Sequence, residues 1–398
     1  MKDKLRTVLA HPRMPWISAI IAILLLLPVL GTGLMMDDHA HKMLVLEGGY
    51  PGGPRGTWDL FRFLDEDREA LQYVMDRGMW PWWSVSGFRL AFFRPLASML
   101  HTLDYRVWPD AHAWMHLESI LIFAAAAVLA GFFYRRLLGA TVNAGLAGLM
   151  FAADNAHSMV IAWIANRHSI ISTALGIAAL LAHDKYRQDG WKPGRILGPL
   201  ALAVALLGGE NGVSTLAYLF AYIVFLDKTS WRSRFMSLVP YGAVAAIWAI
   251  GYKLGGYGAA GGAFYIDPIR QIGDYSQAIV TRLPVLLTGQ IAAPPADVWM
   301  SLPPDKTTGL VQVCVAVLSF VGLGIALVLY DDRKAGFFAL GMTLSLLPAC
   351  ATWPGDRNLL FAGLGGFGLV AQLLTGSRER LGKPARIFAS LVGGLFIF

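Results

Sequence analysis

Apolar residues gather into blocks of roughly 17 to 23, with charges confined to the stretches between them, and each block is long enough at 1.5 Å per residue to cross ~30 Å of hydrocarbon. The first runs from Trp16 to Leu34 behind Lys2, Lys4, Arg6 and Arg13, and reads as a retained anchor entering from the cytoplasm rather than a cleaved leader. Further spans are predicted at about 113–133, 139–156, 164–182, 196–209, 212–226, 235–255, 308–330, 335–351 and 358–374. A last apolar run starts at 387 and is too short to span before Phe398. The pair 196–209 and 212–226 is read as two short helices turning at the glycine-rich break Gly208-Gly209-Glu210-Asn211-Gly212. The pattern predicts an all-α polytopic membrane protein with about 10 or 11 transmembrane helices.

Two segments between spans are long. The first, 35–112, contains Thr57 to Met79, whose periodicity predicts a helix with a polar face lying along the membrane surface, and Trp80, Trp82 and Trp83 follow as interfacial anchors. The second, 256–307, opens with the glycine-rich GGYGAAGGAFYIDP and is expected to hold a surface or re-entrant helix before Pro294-Pro295. The chain thus divides into 1–34, the loop 35–112, a helical block 113–255, the loop 256–307 and a C-terminal block 308–398.

Composition sharpens this picture. Only 15% of residues are charged, where a soluble domain carries about 25%, which excludes an ordinary cytosolic enzyme. The net charge of +7 resides in short loops on one side of the predicted bundle: Arg135-Arg136, Lys185 to Arg195, Lys228 to Arg234, Arg333-Lys334 and Arg378 to Arg386. That distribution makes those loops and the N-terminus cytoplasmic, suits a bacterial inner membrane, and leaves no nucleic-acid partner implied. Cys314 and Cys350 lack ligand spacing and read as packing residues. His183 reads as a solvated residue at the cytoplasmic end, and His39 with His41 as only a weak zinc signal.

Ionisable residues at span ends are the functional candidates, and they collect at the opposite, outward end. Asp37-Asp38 follow the first span; His116 and Glu118 open the second; Asp154 and His157 close the third; Arg167 and His168 open the fourth. Glu210 sits at the short-helix turn, Lys253 ends a span, and Asp356-Arg357 precede another. Adjacent carboxylates suit a divalent cation, magnesium or manganese, or proton abstraction from a hydroxyl, and arginines suit a phosphate, so the set points to a phosphate-bearing lipid substrate taken from the bilayer.

The order of these residues resembles the membrane-embedded GT-C glycosyltransferases, especially the branch of multi-span O-mannosyltransferases with C-terminal tetratricopeptide repeats and its bacterial relatives. The matching features are the acidic pair Asp37-Asp38, then Phe93-Arg94-Pro95-Leu96 with Asp104-Tyr105, and His116-Leu117-Glu118-Ser119. They continue through the stretch Phe151 to His157, Ala162 to Arg167, Glu210 at the turn, and Asp356-Arg357-Asn358-Leu359-Leu360. Asp154 stands where the family has a first histidine, and Met159 where an acid is usual. The resemblance implies transfer of a sugar from a polyprenyl-phosphate donor to an extracytoplasmic acceptor by a single inverting displacement. It makes Asp38, with Asp37, the base or metal-holding pair, and Arg167, Arg357 and Arg94 the donor-phosphate residues. His157, Glu210, Asp154, Asp356 and His116 are implied as supporting residues. Two other classes fit the same architecture, a lipid or solute transporter and a non-catalytic assembly factor. The transporter class usually carries repeated halves, and this sequence shows no internal repeat.

Overall fold

The computed structural model describes residues 2–50, 53–78, 80–84, 86–262, 264–329 and 331–380. Among them six segments are long and apolar enough to cross a membrane: Met14–Gly31, His112–Leu138, Ile164–Asp189, Trp231–Leu254, Pro304–Leu327 and Arg333–Ala351. The shorter apolar helices Val142–Ala153, Gly194–Gly208, Ser214–Phe225 and Gly363–Arg380 complete the bundle. The chain is an all-α polytopic integral membrane protein. The apolar run from 387 lies outside the described residues.

In chain order the elements are α1 (Lys2–Leu9), α2 (Met14–Leu26), α3 (Asp37–Leu46), β1 (Arg62–Asp65), α4 (Arg68–Asp76), β2 (Arg89–Ala91) and α5 (Pro95–Val107). There follow α6 (His112–Leu138), α7 (Val142–Ala153), α8 (Ser158–Ala162), α9 (Arg167–Asp189), α10 (Gly194–Gly208), α11 (Ser214–Phe225) and α12 (Trp231–Leu254). The remainder are β3 (Gly258–Ala260), α13 (Ile272–Ile291), α14 (Val298–Ser301), α15 (Thr307–Leu329), α16 (Arg333–Ser345) and α17 (Gly363–Arg380).

Aromatic side chains at the centre of the bundle, among them Phe123, Phe151, Phe337 and Phe338, are fully buried. Helices come close where side chains are small: a Cβ on Gly145 of α7 would lie 1.9 Å from the Leu9 carbonyl oxygen, so that approach is open only to glycine. By contrast α12 buries only Tyr241 and exposes Val239, Ile247 and Ile250, the pattern of a helix facing lipid. The glycine break after α10 resolves into the short turn Glu210–Val213 that leads into α11. At one end of the bundle the basic loops tie together: Arg136 binds Asp184 and Asp189, Arg187 binds Asp227 at 2.8 Å, and Arg333 donates to the Phe225 carbonyl. His183, expected to be solvated there, is instead buried with its ring edge-on to Tyr222 and Tyr241. It faces inward because helix α9 turns that position toward α11 and α12 rather than toward the loop. Cys314 and Cys350 are buried and unbridged.

The two long loops meet at the other end. Thr57 to Met79 is not one helix: residues 62–65 form β1, and helix begins only at Arg68, capped by Asp67, whose carboxylate accepts from the Glu69 and Ala70 amides. The reason lies in the alternation. Phe61 and Phe63 pack with Ala97 and Trp163, while Leu64 packs with Leu71 and Val74, a period of two that serves a strand between two apolar layers. The apolar face of α4 (Ala70, Leu71, Val74) is therefore covered by protein. The sheet order is β1-β2-β3, antiparallel throughout, so the second long loop pairs with the first. Buried Arg62 locks that junction, donating to Asp59, to Asp65 and to the Gly255 carbonyl, while the Tyr257 hydroxyl donates to Asp59 at 2.9 Å. Helix α13 is the helix expected in the second loop, and it docks through Tyr275 to the Leu347 carbonyl and Arg282 to the Cys350 carbonyl. Trp82 and Trp83 are 81% and 68% exposed.

Candidate active site

Beneath the sheet a cavity of about 570 Å³ opens between the span ends and the two long loops. It is the size of a small-molecule site. Its walls are largely aromatic, including Phe61, Phe92, Trp163, Trp248, Tyr252 and Tyr265, and its charges are Asp37, Arg94, Glu210, Lys253, Asp267 and Arg357.

Local geometry explains how each charge arrives there. The first span ends in an extended stretch, and Met36 turns the chain with φ at 44°, a left-handed conformation that a non-glycine residue adopts at a cost and that starts α3 abruptly at Asp37. Asp37 lines the cavity, and among the described residues it has neither hydrogen-bond nor ion-pair partner. Burial raises its carboxyl above the ordinary range, opposed by the nearby Arg94 and Arg357 charges. Pro95 opens α5 and leaves Arg94 just before it, lying over Phe92 at 4.4 Å and bonded through Nε to Glu210 at 2.7 Å. Lys253, at the end of α12, pairs with Asp267 at 3.0 Å.

Arg357 is held differently. Its guanidinium lies 4.3 Å from the centre of the Trp353 ring and 5.4 Å from that of Trp163, its Nε is buried without a partner, and among the described residues no carboxylate lies within ion-pair distance of it. Two indoles fix the group in place and leave its hydrogen-bonding edge available.

Other sequence candidates are placed elsewhere. Asp38 is 0% exposed and binds the Ala165 amide at 2.6 Å and the Met35 amide at 2.9 Å, while its own carbonyl accepts from the Tyr105 hydroxyl. Desolvation lifts its carboxyl to about 6 despite those amides. Arg167 is also fully buried and saturated: Nη1 reaches Asp104 at 2.6 Å and Glu118 at 2.8 Å, Nε donates to Ser119, and Nη2 to the Met115 carbonyl. His157 packs among Phe123, Phe151 and Phe367 with Asp154 3.5 Å away, and His116 meets the Thr32 hydroxyl at 3.1 Å. Asp356 accepts from the Ala296 amide at 2.8 Å, and burial raises its carboxyl to about 6. None of these six residues lines the cavity. A cation shared by Asp37 and Asp38 would need both carboxylates to converge. Asp38 has both oxygens on amides while Asp37 faces the cavity, and among the described residues no three His, Cys, Asp or Glu side chains gather as a metal site. The pair does not fit a shared metal.

Over 144 residues the chain is 30% identical to the protein O-mannosyl-transferase TMTC2 of Mus musculus, covering 34% of this chain and 17% of that protein. The human protein O-mannosyl-transferase TMTC2 matches at 29% over 143 residues, with the same shares. The protein O-mannosyl-transferase F38B6.6 of Caenorhabditis elegans matches at 24% over 180 residues, 43% of this chain and 24% of that protein. The likeness is to protein O-mannosyl-transferases. The matched region spans at most about a quarter of the length of these relatives. No family model matches the chain, and no solved structure matches it.

The sequence pattern does not single out Asp267, Tyr252 and Trp163, which line the cavity, or Trp353, whose indole lies against Arg357. Trp353 stands four residues before Arg357, a pairing visible along the chain, but Trp163 and Asp267 approach only through folding.

Proposed function

We propose that the chain is a membrane glycosyltransferase that moves a sugar, mannose by the likeness to its relatives, from a polyprenyl-phosphate donor to a hydroxyl of a protein acceptor on the extracytoplasmic side. The observation that carries this reading is one cavity at the span ends holding an unpaired carboxylate, Asp37, and an unpaired guanidinium, Arg357, among aromatic walls. Asp37 removes the proton from the acceptor hydroxyl as its oxygen attacks the anomeric carbon. The bond from that carbon to the phosphate oxygen breaks on the opposite face, inverting the centre. Arg357, with Arg94 behind it, receives the negative charge that gathers on the departing lipid phosphate. Burial raises the proton affinity of Asp37 and so strengthens it as a base, and Glu210 holds Arg94 in position. In this reading Asp38 and Arg167 build the site without touching substrate, and no step is routed through a metal.

The test is transfer of radiolabelled sugar from a polyprenyl-phosphate donor to acceptor protein by the purified chain in nanodiscs. Transfer should be present in the wild type and reduced about a hundredfold or more in Asp37→Asn, the usual reach of general-base catalysis. Absence of transfer, with Asp37→Asn leaving the cellular phenotype intact, overturns the reading in favour of an assembly factor.

A further inference from the structure

The glycine-rich opening of the second long loop forms β3, and β3 is the edge of the sheet. Its hydrogen-bonding direction follows from its neighbour. The Phe88 carbonyl accepts from the Glu66 amide and the Phe92 amide donates to the Phe61 carbonyl, so the even-numbered residues of β2 bond toward β1. Arg89 and Ala91 therefore bond toward β3, where they face Ala260 and Gly258. The residue between, Ala259, points both its amide N–H and its carbonyl away from the sheet. Among the described residues neither group bonds to a partner outside the sheet.

This free edge is part of the cavity wall: Gly258 and Ala259 line the same space as Asp37 and Arg357. It is also bare. No side chain larger than methyl occurs from Gly258 to Gly262 apart from the aromatic Tyr257 that precedes them, and the nearest atom to a Cβ built on Gly258 would be an Asp267 carboxylate oxygen at 4.0 Å. Natural sheets blunt their edges with lysine, proline or a covering segment, and glycine within a strand marks places where another backbone approaches closely. A half-buried free edge with these features can receive an extended peptide, which gains main-chain hydrogen bonds from the edge and selectivity from alternate side chains.

We infer that the β3 edge receives the acceptor as an extended polypeptide strand, paired through the amide and carbonyl of Ala259, so that a hydroxyl-bearing side chain on the cavity side comes to the space lined by Asp37. The inference rests on the transferase reading for its chemistry but not for the binding itself.

The experiment measures binding of a fluorescein-labelled peptide of alternating threonine and valine to the purified full chain by anisotropy. Wild type should bind it. Ala259→Pro should weaken binding about tenfold through loss of the edge pairing, and because proline is tolerated where the strand N–H faces away from the sheet, its melting temperature should match wild type. The same peptide N-methylated at alternate amides should lose binding in one of its two methylation patterns and keep it in the other. No binding to wild type, or equal binding by Ala259→Pro and by both methylated peptides, overturns the sheet-edge proposal. Binding that depends on Ala259 without any sugar transfer leaves it standing and sinks the transferase reading instead.

Discussion

Asp37 and Asp38 are neighbours in sequence with opposite commitments. One carboxylate faces the cavity unpartnered, and the other is sealed against two backbone amides. Asp37→Asn should leave the melting temperature of the purified protein unchanged while lowering transfer about a hundredfold or more. Asp38→Ala should lower that temperature, because it strands the Ala165 and Met35 amides at about 1–3 kcal/mol for each buried unsatisfied group. Arg167→Ala belongs with Asp38: it leaves Asp104 and Glu118 facing each other without their cation, so destabilisation of about 3–5 kcal/mol is expected, read in a denaturation experiment. Arg357→Ala should instead raise the donor KM at unchanged stability. Acid sensitivity follows from His41, fully buried between Phe61, Phe63 and His101, whose imidazole burial holds down to about 3. The folded state takes up the proton less readily than the unfolded chain, so His41 supports folding above pH 6.5 and that support is lost as pH falls from there toward 3. His41→Phe should flatten this part of the stability profile, and an unchanged profile would remove His41 from the account.

Among elements, the three-stranded sheet is the join on which the site depends, since it connects segments from two loops separated by the whole middle of the bundle. Its lock is Arg62, whose neutralisation leaves Asp59 buried without a cation. Arg62→Leu should open the sheet while sparing the bundle: amide exchange should accelerate at 59–65 and 255–262 and stay slow in α6 and α9. Uniform acceleration would mean that the sheet and bundle unfold as one unit. Helix α12, lipid-facing along most of its length, contributes Trp248, Tyr252 and Lys253 to the cavity, so under the proposed function a donor held in the bilayer would enter through this wall.

At the scale of the whole molecule the charges are divided between two ends. Arg136, Arg187 and Arg333 bind acids and carbonyls at one, and the cavity lies at the other, reached from Arg333 along the length of α16 to Ser345 and Pro348. By the positive-inside rule, the excess of Lys and Arg predicts that the first end is the cytoplasmic one. Reporters inserted within 185–195 should be cytoplasmic and within 60–75 external; the reverse labelling would turn the cavity toward the cytoplasm and end the extracytoplasmic reading.

The sequence by itself determined which segments are apolar enough to enter a bilayer, where the two short helices turn, that two long loops share one end, and that acids and arginines collect there. Each of these depends on the local run of apolar residues and on the high cost of charge in hydrocarbon, both written along the chain. Only the tertiary structure decided which charges remain available. Asp38 meets Ala165 and Arg94 meets Glu210 across more than a hundred residues, and whether a carboxylate faces a cavity or an amide depends on partners that no local pattern names. The strand at Arg62–Asp65 shows the same division. Its alternation is short enough to read as one face of a helix, and only pairing with Arg89–Ala91 selects the extended form, because a strand has no hydrogen bonds of its own until its neighbours arrive.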